Sequence, residues 1–296
     1  MKALHILLLM VLLVSGCTRH VDESSPLVNP GIASTLNNRY NDIRQNCGDD
    51  SKPAFLCAGV VLRATGDSAG FDFWNPSPGS VSRGGVSFSY LRKDANFTTT
   101  VTGTVKGYIA YPVLQAPPET AKGFDYLCAF PIDGATANRT DRGCGPHSYY
   151  PSQSRYCSVL GITTAEKFYA HYMQQTNPSH RKFYQCSFDI RDASNALAGP
   201  AFYQMIRSMK MIPREALNDQ NELVVRTWAQ NIPSQLPIEA LFYLEANSAG
   251  LTQVRHDQTR FKAATGKAIP IVRLKLPANH QGAALFSYDP ADQVVR

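Results

Sequence analysis

Apolar and polar positions alternate along some short stretches of the chain and follow helical spacing along others. Val86 to Leu91 and Gly107 to Val113 alternate as half-buried strands do. Phe55 to Thr65 is a compact apolar run rich in Val and Leu, which predicts a buried strand. Three more strands are predicted in the last third, over Glu222 to Trp228, Ile238 to Leu244 and Ile269 to Leu276. Helical spacing predicts a short polar helix within 36–50 that closes on Cys47-Gly48. An amphipathic helix is predicted from Ala165 to Gln175, behind the capping box Thr163-x-x-Glu166. Another is predicted from Pro200 to Met211, with Pro213 beyond its end, and a polar one from Thr252 to Thr265, closing on Gly266. Asn75 to Gly79 and Arg83-Gly84-Gly85 are turn chemistry, and the chain from 115 to 160 is rich in Cys, Gly and Pro. Strands early and late with helices between them predict an α+β domain, not alternating βαβ units. One domain over 36–293 is the simplest division, with 115–215 as a disulfide-stapled helical insertion.

The N-terminus changes the picture. Met1-Lys2, an apolar run from Leu4 to Val14 and the small-residue stretch before Cys17 form an export signal over residues 1–16. The run is shorter than the roughly 20 apolar residues a spanning helix needs. Ser15-Gly16-Cys17 has the form of a bacterial lipobox, in which Cys17 carries the lipid; the alternative is a plain secretory signal cleaved nearby. Thr18, in place of aspartate, points to the outer membrane. Residues 17–35, rich in Ser, Asn and Pro, read as a tether. The expected location is therefore the cell envelope or the exterior, with the membrane touched only through the lipid.

Removing Cys17 leaves Cys47, Cys57, Cys128, Cys144, Cys157 and Cys186. An even set in an exported chain predicts disulfides, and the economical pairing is sequential, although other connectivities remain open. Cys144 and His147 offer two zinc ligands, but no second pair of metal spacing accompanies them, so no metal is expected. The net charge of +6 comes from scattered basic residues, with no run denser than Arg92-Lys93. That suits an anionic small substrate and argues against nucleic acid as a partner. Gly66-Asp67-Ser68-Ala69-Gly70 matches the serine-hydrolase elbow, yet the chain after it cannot form the required helix.

Three islands carry more chemistry in combination than singly. Leu62-Arg63-Ala64-Thr65 ends one apolar strand, Val86-Ser87-Phe88-Ser89-Tyr90 opens another, and Gln220-Asn221-Glu222 stands at the mouth of a third. Breaking the bond between nicotinamide and ribose builds oxocarbenium character on the sugar. The task calls for a carboxylate at the developing charge and an arginine fork on phosphate. The run Val60 to Ser68 resembles the first strand of the cholera-toxin-like ADP-ribosyltransferases, with Leu62 in place of their tyrosine. Gly85 to Arg92 resembles their Ser-Thr-Ser strand, with Phe88 for threonine, and Asp219 to Val224 is similar to their Glu-x-Glu run. Over Tyr40 to Gln293 the chain resembles the halovibrins, secreted bacterial proteins associated with NAD glycohydrolase and ADP-ribosyltransferase activity. Tyr40 to Gly48 and Trp228 to Pro233 are the most recognisable segments.

The resemblance implies a mixed, split β-sheet core of ADP-ribosyltransferase type and NAD as substrate. It implies Glu222, Gln220 and Ser87 as catalytic residues and Arg63, Ser89, Phe88 and Tyr90 as residues that hold NAD. Gln220 stands where arginine-modifying members carry glutamate, which favours water or another side chain of a protein as the ADP-ribose acceptor. Glu239 is a competing carboxylate, and His147, His171 and His180 are expected as surface or packing residues. The alternative function is a non-catalytic envelope lipoprotein, a binding module on the same fold.

Overall fold

The computed structural model describes residues 30–64, 72–98, 108–111, 125–191, 196–212, 220–226, 238–246, 248–279 and 281–294. Helix α1 (Ile32–Asn41) buries Ile32, Ala33, Leu36 and Tyr40 along one stripe. It starts at Ile32, so the tether expected to reach residue 35 ends earlier. The signal segment and Cys17 lie outside the described residues. Strand β1 (Val60–Ala64) is followed by α2 (Pro78–Arg83), which Ser77 caps by accepting from the Ser80 amide. That short helix occupies chain expected as a turn.

Strands β2 (Val86–Leu91), β3 (Tyr108–Tyr111) and β4 (Asp125–Phe130) come next, then α3 (Ala165–Gln174) and α4 (Arg181–Tyr184). The N-cap of α3 is Thr164, whose side chain accepts from the Lys167 amide, one residue later than the capping box predicted. The chain continues through β5 (Phe188–Asp189), α5 (Ala198–Met211), β6 (Glu222–Arg226) and β7 (Ala240–Leu244). It ends with α6 (Ser248–Thr265), β8 (Ile271–Lys275) and β9 (Leu285–Tyr288).

The strands lie in the order β5-β4-β6-β2-β1-β3-β7-β8-β9. They form two sheets that share β2. Its first half, Val86 to Phe88, pairs with β6, and its second half, Ser89 to Leu91, pairs with β1. The pairs are antiparallel except β7–β8, which α6 joins as a parallel crossover. The fold is mixed α+β, as the pattern predicts.

Alternation along the strands sorts the core. Val86, Phe88 and Tyr90 of β2 and Leu223 and Val225 of β6 enter the main cluster, with Phe202, Met205, Ile206 and Met209 of α5. On the other face Val60, Leu62 and Leu91 pack beneath Leu36 and Tyr40 of α1. A small third cluster joins Val224 to Leu127, Phe130 and the Cys128 and Cys144 sulfurs.

The three sequential disulfides are present, Cys47–Cys57, Cys128–Cys144 and Cys157–Cys186, with Cα separations of 5.8, 5.8 and 5.0 Å. Such a set fits an extracellular or periplasmic protein. Among the described residues no helix is long and apolar enough to cross a membrane. The segment expected as an insertion is stapled, but it is woven into the sheet. Its β4 lies directly against β6, and its helix α5 fills the main core.

Candidate active site

The site forms where the two sheets part. The β1–β2 ladder ends at Leu62↔Ser89, and the β2–β6 ladder ends at Phe88↔Leu223. Continuing that second register sets Asn221 opposite Tyr90, and there the side chain replaces the backbone. Asn221 Oδ1 accepts from the Tyr90 amide at 2.7 Å, and Nδ2 donates to the Tyr90 carbonyl at 2.7 Å. Asn221 is fully buried. An amide has one donor and one acceptor at strand spacing, so it satisfies both backbone groups that the parting sheet would leave bare.

Glu222, the next residue, opens β6 and pairs with Phe130 of β4. Side chains alternate along a strand, so Glu222 shares the face of Val224, which is opposite Ser87 of β2. The chain leaving β4 crosses this face and leaves Glu222 6 % exposed. The Gly134 amide donates to Glu222 Oε2 at 2.7 Å, and the Thr136 hydroxyl donates to Oε1 at 2.9 Å. Thr136 Oγ1 lies 3.0 Å from Ser87 Oγ. With Thr136 donating to the carboxylate, Ser87 donates to Thr136, and a Ser–Thr–Glu relay results.

Burial pushes the Glu222 carboxyl above its ordinary range, and the nearby Asp133 charge adds to the rise. The nearby Ser87 hydroxyl and the hydrogen bonds from Gly134 and Thr136 pull the other way by favouring the charged form. Arg139 organises the covering segment. Its Nε donates to the Gly134 carbonyl at 2.5 Å, its Nη1 to that of Ser154 at 3.0 Å and its Nη2 to that of Gln185 at 2.9 Å. Its guanidinium lies 4.6 Å from the Phe130 ring centroid. Burial brings Arg139 down to about 10, against the pull of Glu222 and Asp133.

One further arginine, Arg83, interacts with the carboxylate, and a second, Arg63, interacts with Arg83. Arg83, the last residue of α2, donates from Nη2 to the Gly85 carbonyl at 3.1 Å, while its buried Nε–H has no partner. Burial lowers its pKa, the Glu222 charge raises it and the Arg63 charge lowers it. Arg63 Nη1 is likewise buried without a partner. Alternation sets Arg63 on the face of Val61, at the point where β1 leaves β2. Glu222 and Ser87 are therefore brought together, while Arg63, set by alternation on the Tyr90 face, interacts with Arg83 through charge and has no hydrogen bond to either among the described residues.

The other expected residues divide. Ser89 is buried in the β1–β2 ladder, and Gln220 precedes β6, partly exposed. Phe88 and Tyr90 point into the main core. The Tyr90 ring meets Phe202 at 5.2 Å, and its hydroxyl donates to the Ala58 carbonyl at 3.0 Å. Their rings are occupied with packing, so the expectation that they cover nicotinamide goes no further. Glu239 is ion-paired to Arg39 at 2.5 Å. His147 is buried and stacked 4.7 Å from Phe183, its pKa lowered by burial and by Arg139. The disulfide takes the Cys144 thiolate away from any zinc site with His147. Gly66 to Gly70 and Trp228 to Pro233 lie outside the described residues.

Asn221, Gly134, Thr136, Arg83 and Arg139 were not singled out in the sequence. Asn221 carried a usable signal, since it is a polar residue between two candidate site residues at a strand mouth. No protein-family model matches the chain, and no curated protein matches it.

Proposed function

We propose that the protein cleaves the nicotinamide–ribose bond of NAD, as an NAD glycohydrolase or a mono-ADP-ribosyltransferase. The observation that carries this reading is Glu222, a buried carboxylate at a strand mouth. It is held by the Gly134 amide and the Thr136 hydroxyl and lies near Arg83, whose buried Nε–H is unfilled. Two sheets that share β2 also suit the split core of the ADP-ribosyltransferases.

Arg63 and Arg83 bind the diphosphate. Ser87 orients the carboxylate through Thr136, and Glu222 faces the anomeric carbon. The C–N bond breaks with its electron pair leaving on nicotinamide, which departs neutral, while Glu222 offsets the positive charge on the sugar. Water then bonds to that carbon and gives up its proton to the carboxylate or to solvent. Gln220 is neutral and gives an arginine acceptor no base, which favours water. Cys17 anchors the protein to the envelope by lipid.

Nicotinamide release from NAD by the purified, oxidised protein tests the reading, beside the Glu222→Ala variant. Release by the wild type, reduced at least about a hundredfold in a folded variant, is the expected result. Equal rates would remove Glu222 from the mechanism. NAD binding without release would favour the binding-module reading.

A further inference from the structure

Residues 131–145 form a strap that leaves the end of β4 and crosses the sheet face carrying Glu222. Cys128, which opposes Val224 on β6, is bonded to Cys144 at the far end of the strap. Gly134 and Thr136, inside it, each hold one Glu222 oxygen, and Thr136 reaches on to Ser87. Three non-glycine residues of the strap, Ala135, Asp141 and Arg142, have φ of 51°, 45° and 60°. Side chains disfavour that region, so these residues keep it only while their surroundings hold them. A Cβ on Gly85 would collide with the Arg142 carbonyl oxygen, so the strap rests directly on the foot of β2.

We propose that this strap is the positioning element of the Glu222 carboxylate, with Thr136 as its positioning residue and the Cys128–Cys144 bond as its lock. NAD cleavage is thereby switched on only when the exported chain is oxidised. The proposal rests on the NAD-cleaving reading of the site. Burial favours the protonated form of a carboxyl unless donors surround it, and the strap supplies the two that bond Glu222 directly. An inhibitory strap would set a cation or a bulky side chain on the carboxylate. This one sets an N–H and a hydroxyl there, which favour the charged form against burial and aim it.

Locking takes two electrons and two protons from the Cys128 and Cys144 thiols. A disulfide-bearing oxidant of the exporting compartment accepts them by thiol–disulfide exchange. The chain before export has no lock and holds the carboxylate loosely, which spares the NAD of the cell that makes it.

The experiment compares the wild type with Thr136→Val, Thr136→Ser, Cys128→Ala/Cys144→Ala and the control Cys47→Ala/Cys57→Ala. Amide hydrogen exchange over 131–145 and nicotinamide release across pH are measured on each. Thr136→Val is expected to fold and lose about tenfold to a hundredfold in turnover, the scale of one hydrogen bond to a charged group. Its acid limb moves to higher pH, and Thr136→Ser restores both. The Cys128/Cys144 variant is expected to exchange faster over 131–145 alone and to lose turnover at least tenfold, about the same scale. The control does neither.

Turnover at or above wild type in the Cys128/Cys144 variant would overturn the proposal, as would an unmoved acid limb in Thr136→Val. If the double variant does not fold, the Val and Ser pair decides. If the wild type releases no nicotinamide, the NAD reading fails, and unchanged exchange over 131–145 would then overturn the strap by itself.

Discussion

Glu222→Gln separates what the carboxylate does for chemistry from what it costs the fold. Gln has the same shape, and the strap can receive it. The Gly134 amide can only donate, so the Gln carbonyl oxygen turns toward it. The Thr136 hydroxyl then rotates to accept from the Gln amide and donates to Ser87 instead. Turnover is expected to fall by about two to three decades, because a neutral amide cannot offset the charge on the sugar.

Stability moves the other way. A carboxyl whose folded pKa lies above its ordinary 4.5 holds its proton longer in the folded chain than in the unfolded one. The stabilisation it carries is complete below the unfolded value and is lost as pH rises through the folded value, at about 1.4 kcal/mol for each unit of rise. The Gln variant has no such loss, so its stability relative to wild type should improve with pH across that window. Urea denaturation of both proteins from acid to mildly alkaline pH, beside nicotinamide release, measures the two effects together. A stability difference that does not change with pH, or a Gln variant with wild-type turnover, would refute the reasoning.

Three more outcomes are expected. Asn221→Ala leaves the Tyr90 amide and carbonyl buried without partners, at about 1–3 kcal/mol each, so urea denaturation should record a loss of several kcal/mol. Arg83→Ala removes a guanidinium with an unfilled buried N–H. It should lower kcat/KM for NAD by about tenfold to a hundredfold, mostly through KM, as loss of one charged hydrogen bond does. Tyr90→Phe removes the hydrogen bond to the Ala58 carbonyl and should cost about 1 kcal/mol while NAD affinity by calorimetry stays unchanged.

The elements with a clean period were legible in the sequence. β2 alternates from Val86 to Leu91 and falls where expected, and α3 and α5 differ from expectation only at their ends. β4 was not legible. Asp125, Tyr126 and Cys128 break its apolar run within Gly- and Cys-rich chain, and its burial depends on β6, which lies almost a hundred positions away. The same separation hid half of the site. Ser87 and Glu222 were singled out because each sits at a strand mouth. Thr136 and Gly134 lie in a loop with no periodic signal, and they matter only because the disulfide and Arg139 fold that loop onto β2 and β6. Phe88 and Tyr90 were misjudged for the opposite reason. An aromatic beside a serine looks like a ligand cover, but the strand's own alternation turns both rings into the core.

The parting of the sheets and the burial of Glu222 are two sides of one arrangement. A sheet that divides at β2 leaves backbone groups at Tyr90 in need of partners, and Asn221 supplies them with its side chain. That bond fixes the backbone at the mouth of β6 against β2, and the next side chain along must point to the opposite face, toward Ser87 and the strap. One dipeptide therefore closes the fold and aims the carboxylate. The two kinds of perturbation should differ in a measurable way. Asn221→Ala acts on the core, so turnover and unfolding free energy should fall together. Thr136→Val acts on the carboxylate from the strap side, so turnover and the acid limb should move while the urea midpoint shifts by no more than about 1 kcal/mol of stability. Parallel losses in both variants would mean that the strap is part of the folding core and that its hold on Glu222 is incidental.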